Sequence, residues 1–359
     1  MGQPAPQTPP AGAAPRRGRR LLRFLGVLVL LAALGGGAAL WEARRWSSTP
    51  GPLAADATVV VPRGTGTRSI ATALQEAGVI DRPWLFAVLA RFAPDGRPLK
   101  AGEYQFTAGI APGAVLEALR AGRTVARRLT IPEGLTAQQI VELLRAETAL
   151  SGDVHKLPAE GSLLPDTYHF SYGDSRAAMV ERMQTAMREA IAELWPKRAK
   201  DLPFDTIEEA VTLASIVEKE TGQPEERPRV AGVYVNRLRK GMKLQADPTT
   251  IYGITGGKGP LGRSITRADL TDDNPYNTYV ITGLPPGPIA NPGRESLAAV
   301  MNPQSTDELY FVADGTGGHA FARTLAEHNR NVAKWRRIER ERARQAGQAA
   351  EADDEPQTE

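Results

Sequence analysis

The most prominent hydrophobic pattern lies near the N-terminus, where residues 24–41 read FLGVLVLLAALGGGAALW without a charged side chain. A helix rises about 1.5 Å per residue, so this segment nearly spans a hydrocarbon core of roughly 30 Å. The pattern predicts a single transmembrane helix over residues 24–41. A cleaved signal peptide is the alternative, although Trp41, Glu42 and two arginines follow the Ala/Gly run and fit a cleavage site poorly.

Apolar and turn-forming residues recur in two similar segments that lie seventy residues apart. An apolar stretch meets Pro-x-Gly at Val61–Gly64 and again at Ile131–Gly134, and apolar residues at helical spacing follow each turn. The pattern predicts a small duplicated β-α module over residues 57–150, and chance similarity is the alternative. Between the two segments we expect a helix at Pro83–Phe92, a strand at Gly102–Phe106 and a helix at Gly113–Ala121.

Beyond residue 159 amphipathic segments alternate with long loops rich in Gly, Pro and Asn. Long loops inside a folded domain usually carry function, so residues 159–340 are predicted to form a mixed α+β domain with a functional site on its loops. Residues 47–56 are predicted to be a linker and residues 346–359 a disordered tail. We expect helices at Ser175–Leu194, Phe204–Glu220, Pro228–Lys240, Glu295–Met301 and Ala326–Arg340, and strands within 160–170 and at Leu309–Ala313.

The charge distribution predicts how the apolar segment is oriented in the membrane. Of the 44 basic and 41 acidic residues, five arginines and no acid lie in residues 1–23, whereas residues 24–335 hold equal numbers of each sign. The positive-inside rule therefore predicts a basic cytoplasmic tail over residues 1–23, with residues 57 onward outside the cytoplasmic membrane. Trp41 and Trp46 suit the far interface as aromatic anchors. A neutral body gives no support for nucleic-acid binding.

Several kinds of site are missing from the sequence. The chain has no cysteine, no GxSxG and no SxxK motif, which excludes thiolate chemistry and the common serine acyl-transfer motifs. Gly253–Lys258 lacks the spacing of a phosphate-binding loop. The four histidines show no metal-ligand spacing, so we expect neither a metal nor a cofactor.

Carboxylates remain as candidates for acid–base chemistry. The predicted helix that ends at Glu220 is apolar on most sides through Leu213–Val217, which indicates burial. A carboxyl group at the end of a buried helix can enter a cleft with a raised pKa, as a general acid requires. Charged residues where a helix reaches solvent are the more common explanation. Periodicity does not choose between Glu218 and Glu220.

Two loops combine amides, a carboxylate, hydroxyls and aromatic rings. They are Leu244–Gly253 and Asn274–Tyr279. This mixture suits carbohydrate, because aromatic faces stack on sugar rings while amides and acids bind hydroxyls. Ordinary turn chemistry is the alternative, since Asn and Asp before Pro are common in turns.

Taken together, the motifs resemble endolytic murein transglycosylases of the YceG-like family over roughly residues 20–336. The resemblance lies in EGSLLPDTYHF (160–170), LASIVEKETG (213–222), VYVNRLRKGMKLQADPTTIYG (233–253), NPYNTY (274–279), GLPPGPIANPG (283–293) and YFVADGTGGHAFARTLAEHN (310–329).

The resemblance implies a single-pass protein of the cell inner (cytoplasmic) membrane, with a LysM-like module before a catalytic domain. Its activity would be that of a lyase that cuts the β-1,4 bond between N-acetylmuramic acid and N-acetylglucosamine within nascent peptidoglycan strands. Strand elongation would end at the resulting 1,6-anhydro terminus. Cell-wall synthases of the penicillin-binding class are the expected protein partners.

Residue by residue, the resemblance assigns the catalytic acid to Glu218 and leaves Glu220 a supporting role. Departures from the family pattern at Asn274 and Thr250 do not touch this acid. One carboxyl suffices for a lytic transglycosylase, whereas Asp247 keeps a two-carboxylate hydrolase open and a non-catalytic peptidoglycan-binding protein is a further alternative. The expected substrate-binding residues are Asn236, Arg237, Gln245, Asp247, Asn277 and Tyr279.

Overall fold

The structure is a computed structural model that describes residues 16–92 and 96–353. It is a mixed α+β structure, as predicted, and its residues pack into two units. The first unit ends at Val125 and also takes in Ser171–Gly173. The second unit comprises Ala126–Phe170 and the chain from Asp174 onward.

The first unit is built on a two-stranded sheet covered by helices. Its elements are α1 (Arg16–Ser47), β1 (Ala57–Val61), α2 (Thr67–Glu76), α3 (Pro83–Phe92), β2 (Gly102–Phe106) and α4 (Pro112–Ala121). Strands β1 and β2 are antiparallel, with Val59 opposite Tyr104. Leu74 of α2 and Leu85 of α3 are fully buried against this sheet in one hydrophobic cluster. The predicted helix and strand over 83–106 are confirmed.

Helix α1 is longer than the predicted membrane segment at both ends. Of the helices in the described residues, it alone is long and apolar enough to cross a membrane, over Phe24–Ser47, with a mean hydropathy of 2.1. Residues 1–15 of the predicted basic tail lie outside the described residues. Its last turns belong to the core, since Ala43 and Trp46 are buried and the Trp46 indole donates to Asp81 at 2.8 Å. Trp46 is therefore a core residue, and its prediction as an interface anchor is wrong.

The segment predicted as a linker, residues 47–56, is bonded to the first unit. Leu53 is buried, and the Gly51 amide donates to the Gly109 carbonyl at 3.2 Å. A Cβ at Gly51 would lie 2.4 Å from the Ile110 carbonyl oxygen, so only glycine fits this approach. The segment is thus held along its length rather than left as a free spacer.

The second unit is mainly helical, with two antiparallel strand pairs, β3–β4 and β5–β6. Its strands are β3 (Arg127–Thr130), β4 (Thr167–Phe170), β5 (Tyr310–Ala313) and β6 (His319–Ala322). Its helices are α5 (Ala137–Ala146), α6 (Arg176–Leu194), α7 (Ile207–Glu220), α8 (Arg227–Arg239), α9 (Asp247–Thr255), α10 (Arg267–Thr271), α11 (Arg294–Met301) and α12 (Leu325–Asp353).

The two similar segments both form a strand, a turn and a helix, but they lie in different units. Strand β1 pairs with β2, whereas β3 pairs with β4 in the second unit. Packing therefore divides the chain after Val125, inside the range 57–150 that the repeat predicts to be one module. The duplicated LysM-like module stays a prediction.

Helix α7 forms the centre of the second unit. Thr206 and Glu209 form a capping box at its start, and every residue from Ala210 to Val217 is buried. It packs against α8, α9 and α11, so its apolar residues face other helices rather than water. The predicted burial of this helix is confirmed, and the helix delivers Glu218 and Glu220 to its C-terminal end.

Two parts of the second unit differ from the sequence-based expectation. Helix α9 forms in a predicted loop because Pro248 occupies its first turn and Gly256 closes it in the left-handed conformation. Helix α12 continues to Asp353, into the predicted disordered tail, because its Ala, Arg, Gln and Glu residues are strong helix formers. Residues 354–359 lie outside the described residues.

Candidate active site

The carboxylate of Glu218 is held on both oxygens at the end of α7. Its side chain is 5% exposed, and Oε1 accepts a hydrogen bond from Arg227 Nη2 at 3.2 Å. Its Oε2 accepts from the Gly293 amide at 2.9 Å. The same Arg227 nitrogen donates to Glu133 Oε2 at 2.7 Å, so one buried guanidinium bridges two carboxylates. These bonds fix the Glu218 carboxylate in one orientation.

The turn after β3 packs beside this ion pair. The Gly134 amide donates to the Asn291 carbonyl at 3.1 Å, and a Cβ at Gly293 would lie 1.8 Å from Glu133 Oε1. Glu133 thus belongs to the site, in addition to its place in the second of the two similar turns. The sequence signal that could have found it is the acidic residue inside the second Pro-x-Gly turn.

Glu220 lies in a different environment from Glu218. The Tyr234 side chain lies close enough to lower the pKa of the Glu220 carboxyl group, while Glu220 Oε1 is buried without a hydrogen-bond partner among the described residues. Burial raises the pKa of Glu220 to about 7, and the charge of Asp247 adds to the rise, against the Tyr234 bond and the Arg237 charge. The pKa of Glu220 therefore lies close to neutral pH, well above that of an ordinary glutamate.

Three further titratable side chains interact electrostatically with Glu220. Tyr279 donates its hydroxyl to Asp247 Oδ1 at 2.6 Å, and Asp247 is exposed. Burial, the bond to Asp247 and the nearby Glu220 hold the pKa of Tyr279 well above its usual value. Tyr234 is fully buried, and its pKa is likewise raised by burial and by Glu220. We call Glu220, Tyr234, Asp247 and Tyr279 the Glu220 cluster.

Two predicted substrate-binding residues on α8 support loops in this structure. The buried Arg237 donates to the carbonyls of Leu309 at 2.6 Å and Leu244 at 2.7 Å. Asn236 donates to the carbonyls of Thr306 and Glu308. Arg237 also acts on Glu220 through its charge.

The remaining predicted residues divide between surface and interior. Gln245 is exposed in a left-handed backbone conformation (φ +52°), next to Asp247 in the chain. Asn277 is fully buried, and its amide bonds to the Asp269 and Asp272 carbonyls and to the Thr250 hydroxyl. Gln245, Asp247 and Tyr279 are thus placed where a ligand can reach them, and Asn277 is placed to hold their loops. Their binding role stays a prediction.

A cavity of about 490 Å³ adjoins the end of α7. Tyr252 forms part of its wall and donates its hydroxyl to Glu160, whose pKa is raised by burial. Among the described residues, no group of three or more His, Cys, Asp or Glu side chains could hold a metal ion. The cavity is lined by residues of the β3–α5 turn and α5, by Lys219, by α9, by the loop 257–263 and by Ile289.

Comparison with known proteins gives a consistent set of relatives. The YceG-like family matches residues 59–334. The endolytic murein transglycosylase of Streptococcus pneumoniae serotype 2 strain D39 is 31% identical over 326 residues, covering 77% of this chain and 58% of that protein. The endolytic murein transglycosylase of Bacillus subtilis strain 168 is 31% identical over 306 residues, covering 77% of this chain and 83% of that protein.

A solved yceG-like protein of Listeria monocytogenes is 32% identical, with a TM-score of 0.48, and covers 77% of this chain and 98% of that chain. The chain spans less than two thirds of the pneumococcal relative and most of the Bacillus one.

Proposed function

The chain belongs to the YceG-like family, and on that premise we propose that it is a membrane-anchored lytic transglycosylase of peptidoglycan. The bond cut would be the β-1,4 bond between N-acetylmuramic acid and N-acetylglucosamine within a strand, which ends strand elongation. The relatives named endolytic murein transglycosylases support this substrate class. The observation that carries the proposal is a desolvated carboxyl group, Glu220, with a pKa of about 7 beside exposed polar side chains.

We propose Glu220 as the general acid because burial raises the pKa of its carboxyl group to about 7. A general acid works best when its pKa lies near the operating pH, and Glu220 meets this condition. Glu218, which the resemblance favoured, already accepts bonds on both oxygens from Arg227 and Gly293. These bonds also suit Glu218 to position the end of α7. The family resemblance assigns the acid to Glu218, so the two carboxyl groups are competing assignments.

The mechanism needs one carboxyl group. Protonated Glu220 donates its proton to the glycosidic oxygen while the C1–O bond breaks through an oxocarbenium-like state. The resulting carboxylate then removes the proton from the muramic C6 hydroxyl as that oxygen bonds to C1. The products are a 1,6-anhydro end and a free 4-hydroxyl, and Glu220 regains its proton. Asp247 and Tyr279 are placed to bind sugar hydroxyls during this step.

A muramidase-type hydrolase is the second candidate, because the exposed Asp247 acts electrostatically on Glu220. With Asp247 activating water, the same bond would yield a reducing end. A non-catalytic peptidoglycan-binding protein is the third candidate.

We propose that α1 holds the protein in the inner membrane with its N-terminus in the cytoplasm. The arginines that precede Phe24 and the apolar composition of the helix support this topology. Wall binding by residues 57–150, catalysis by residues 159–340 and association with cell-wall synthases complete the proposal.

One digestion separates the three candidates. The detergent-solubilised full chain is incubated with purified sacculi, and the new glycan ends are analysed by mass spectrometry. Anhydro ends support the transglycosylase and reducing ends support the hydrolase. If neither kind of end forms although the protein binds the sacculi, the result supports a non-catalytic peptidoglycan-binding protein.

A further inference from the structure

The cavity beside α7 has mainly apolar walls. Pro248 and Ile251 of α9, Leu261 of the following loop and Ile289 supply aliphatic surface. Its volume of about 490 Å³ exceeds what one small polar group requires. The walls therefore suit a substituent that carries methyl groups as well as polar atoms.

The polar acceptors near the cavity are already engaged by the protein. Glu160 Oε1 accepts from the Asn291 amide at 2.9 Å and from the Ala137 N–H at 2.8 Å, and its Oε2 accepts from Tyr252. The Thr136 hydroxyl donates to the Gly257 carbonyl at 2.6 Å. The Glu160 carboxylate and the Thr136 hydroxyl are therefore engaged within the protein rather than left for a ligand.

Lys219 is the cation available to such a ligand. Its side chain is exposed, and its ammonium makes one hydrogen bond, to the Gly134 carbonyl at 3.2 Å, with no carboxylate partner among the described residues. The cavity's other lining cation, Arg263, is neutralised by two hydrogen bonds to Asp269. One wall of the cavity thus carries an ammonium group that has no direct carboxylate partner among the described residues.

The cavity adjoins the last turn of α7, which carries both Glu218 and Glu220. Lys219 precedes Glu220 in the chain, and Pro248 follows Asp247 of the Glu220 cluster. A sugar bound at the end of α7 would therefore have its ring substituents within reach of this cavity.

We propose that the cavity binds the acidic substituent on O3 of the muramic residue and that Lys219 pairs with its carboxylate. This inference rests on the proposed function. The apolar walls receive the methyl groups of the lactyl and alanyl units, and the ammonium binds the negative charge. The carboxylate has two sources: the lactyl group of a bare strand, or the stem peptide of a substituted strand, in which the lactyl carboxyl is an amide.

The test compares Lys219→Met and Lys219→Arg with a matched control, Lys240→Met, which removes an exposed lysine far along the chain from the cavity wall. Each full-length variant acts on peptide-bearing strands and on strands stripped by an amidase. Lys219→Met should raise KM about tenfold or more on one of the two substrates, the loss expected for one charge-assisted hydrogen bond, with kcat little changed. Lys219→Arg should largely restore KM, and Lys240→Met should match the parent.

A loss confined to peptide-bearing strands identifies the stem-peptide carboxylate, and a loss confined to bare strands identifies the lactyl carboxylate. Equal loss on both substrates, no loss on either, or a shifted pH profile that shows Lys219 acting through Glu220 would each overturn the inference. Dissociation constants for the same strands are measured in parallel. They keep this test independent of the proposed function, which fails by itself if the parent binds but cleaves neither substrate.

Discussion

Glu218 and Glu220 are two residues apart, yet their surroundings suit them to different tasks. Glu218 is fixed by an arginine and a backbone amide, while Glu220 keeps one oxygen unpartnered in a desolvated position. Charge pairing and hydrogen bonds stabilise a carboxylate, and desolvation favours the neutral acid. We therefore propose Glu220 as the proton donor and Glu218 as a positioning residue, with Glu218, which the family resemblance assigns, as the competing proton donor.

Replacing Glu220 with glutamine should abolish most cleavage while the protein stays folded. The amide of the new side chain would keep an acceptor for Tyr234 but could not supply a proton, so we expect a loss of about 10²–10⁴-fold in kcat. Release of glycan fragments from sacculi, with circular dichroism of the variant, measures both effects. The comparison variant is Glu218→Gln, which should be less stable but retain more activity. A fully active Glu220→Gln together with an inactive, folded Glu218→Gln would return the acid to Glu218.

The pH dependence of activity should follow the raised pKa of Glu220. The acid form is lost as pH rises through about 7, so kcat should fall above that pH if proton donation limits the rate. The rate is measured on isolated strands between pH 5 and 9. A rate that stays constant across this range would contradict the assignment.

The same pKa shift has a consequence for stability. The ordinary pKa of 4.5 is raised to about 7, so the folded chain binds this proton more tightly than the unfolded chain. The unfolding free energy should fall as pH rises from about 4.5 to 7 and then level off. In urea titrations, the unfolding free energy of the Glu220→Gln variant should no longer show this fall between about pH 4.5 and 7. Equal slopes for the parent and the variant would argue against a desolvated Glu220.

At the scale of elements, one arginine joins three parts of the second unit. Arg227 at the start of α8 bonds to Glu218 on α7 and to Glu133 in the turn after β3. The side chains of Arg227 and Glu218 are 8% and 5% exposed, so this pair is shielded from solvent, whereas Glu133 is 40% exposed. The end of α7 is thus held by elements distant from it in sequence.

Arg227→Met should destabilise the protein and displace this end of α7. Removing one partner of a buried ion pair leaves an uncompensated charge, which typically costs about 3–5 kcal/mol. Denaturant unfolding measures the loss. The control is Lys197→Met, which breaks an exposed pair with Glu193 and should change the unfolding free energy by less than about 0.5 kcal/mol. Similar effects for the two variants would show that Arg227 is not a central link.

At the scale of the whole molecule, α1 combines a candidate membrane span with part of a folded core. Its apolar side chains from Phe24 to Leu34 are largely exposed, whereas Ala43 and Trp46 are buried with α3. The helix is therefore continuous from the segment proposed to lie in lipid to the core of the first unit. Truncating the chain before Ala43 should leave the core of the first unit intact, whereas truncating it beyond Trp46 should lower the stability of that unit.

A chain that begins at residue 39 should remain in solution and retain the stability of the first unit. A chain that begins at residue 48 lacks Ala43 and Trp46, and we expect it to lose about 3–5 kcal/mol, as for removal of a buried aromatic side chain. Thermal unfolding of the two chains measures the difference. Equal melting temperatures would show that the last turns of α1 are not needed in the core.

Local patterns determined much of the secondary structure. The bounds of α3 and β2 match their predictions, and the apolar run before Glu218 correctly indicated a buried helix. Periodicity and turn residues suffice there because they act within a few neighbouring positions. Helix α9 was missed because its start depends on Pro248 in a stretch that otherwise resembles a loop.

The sequence by itself determined the family, the apolar N-terminal helix and the presence of two carboxyl groups at the end of one helix. Only the tertiary structure decided how those carboxyl groups differ. Arg227 and Gly293 reach one of them, and Tyr234 and Asp247 act on the other. A pKa depends on desolvation and on charges brought close by folding. The spacing of residues along one helix reveals neither of these.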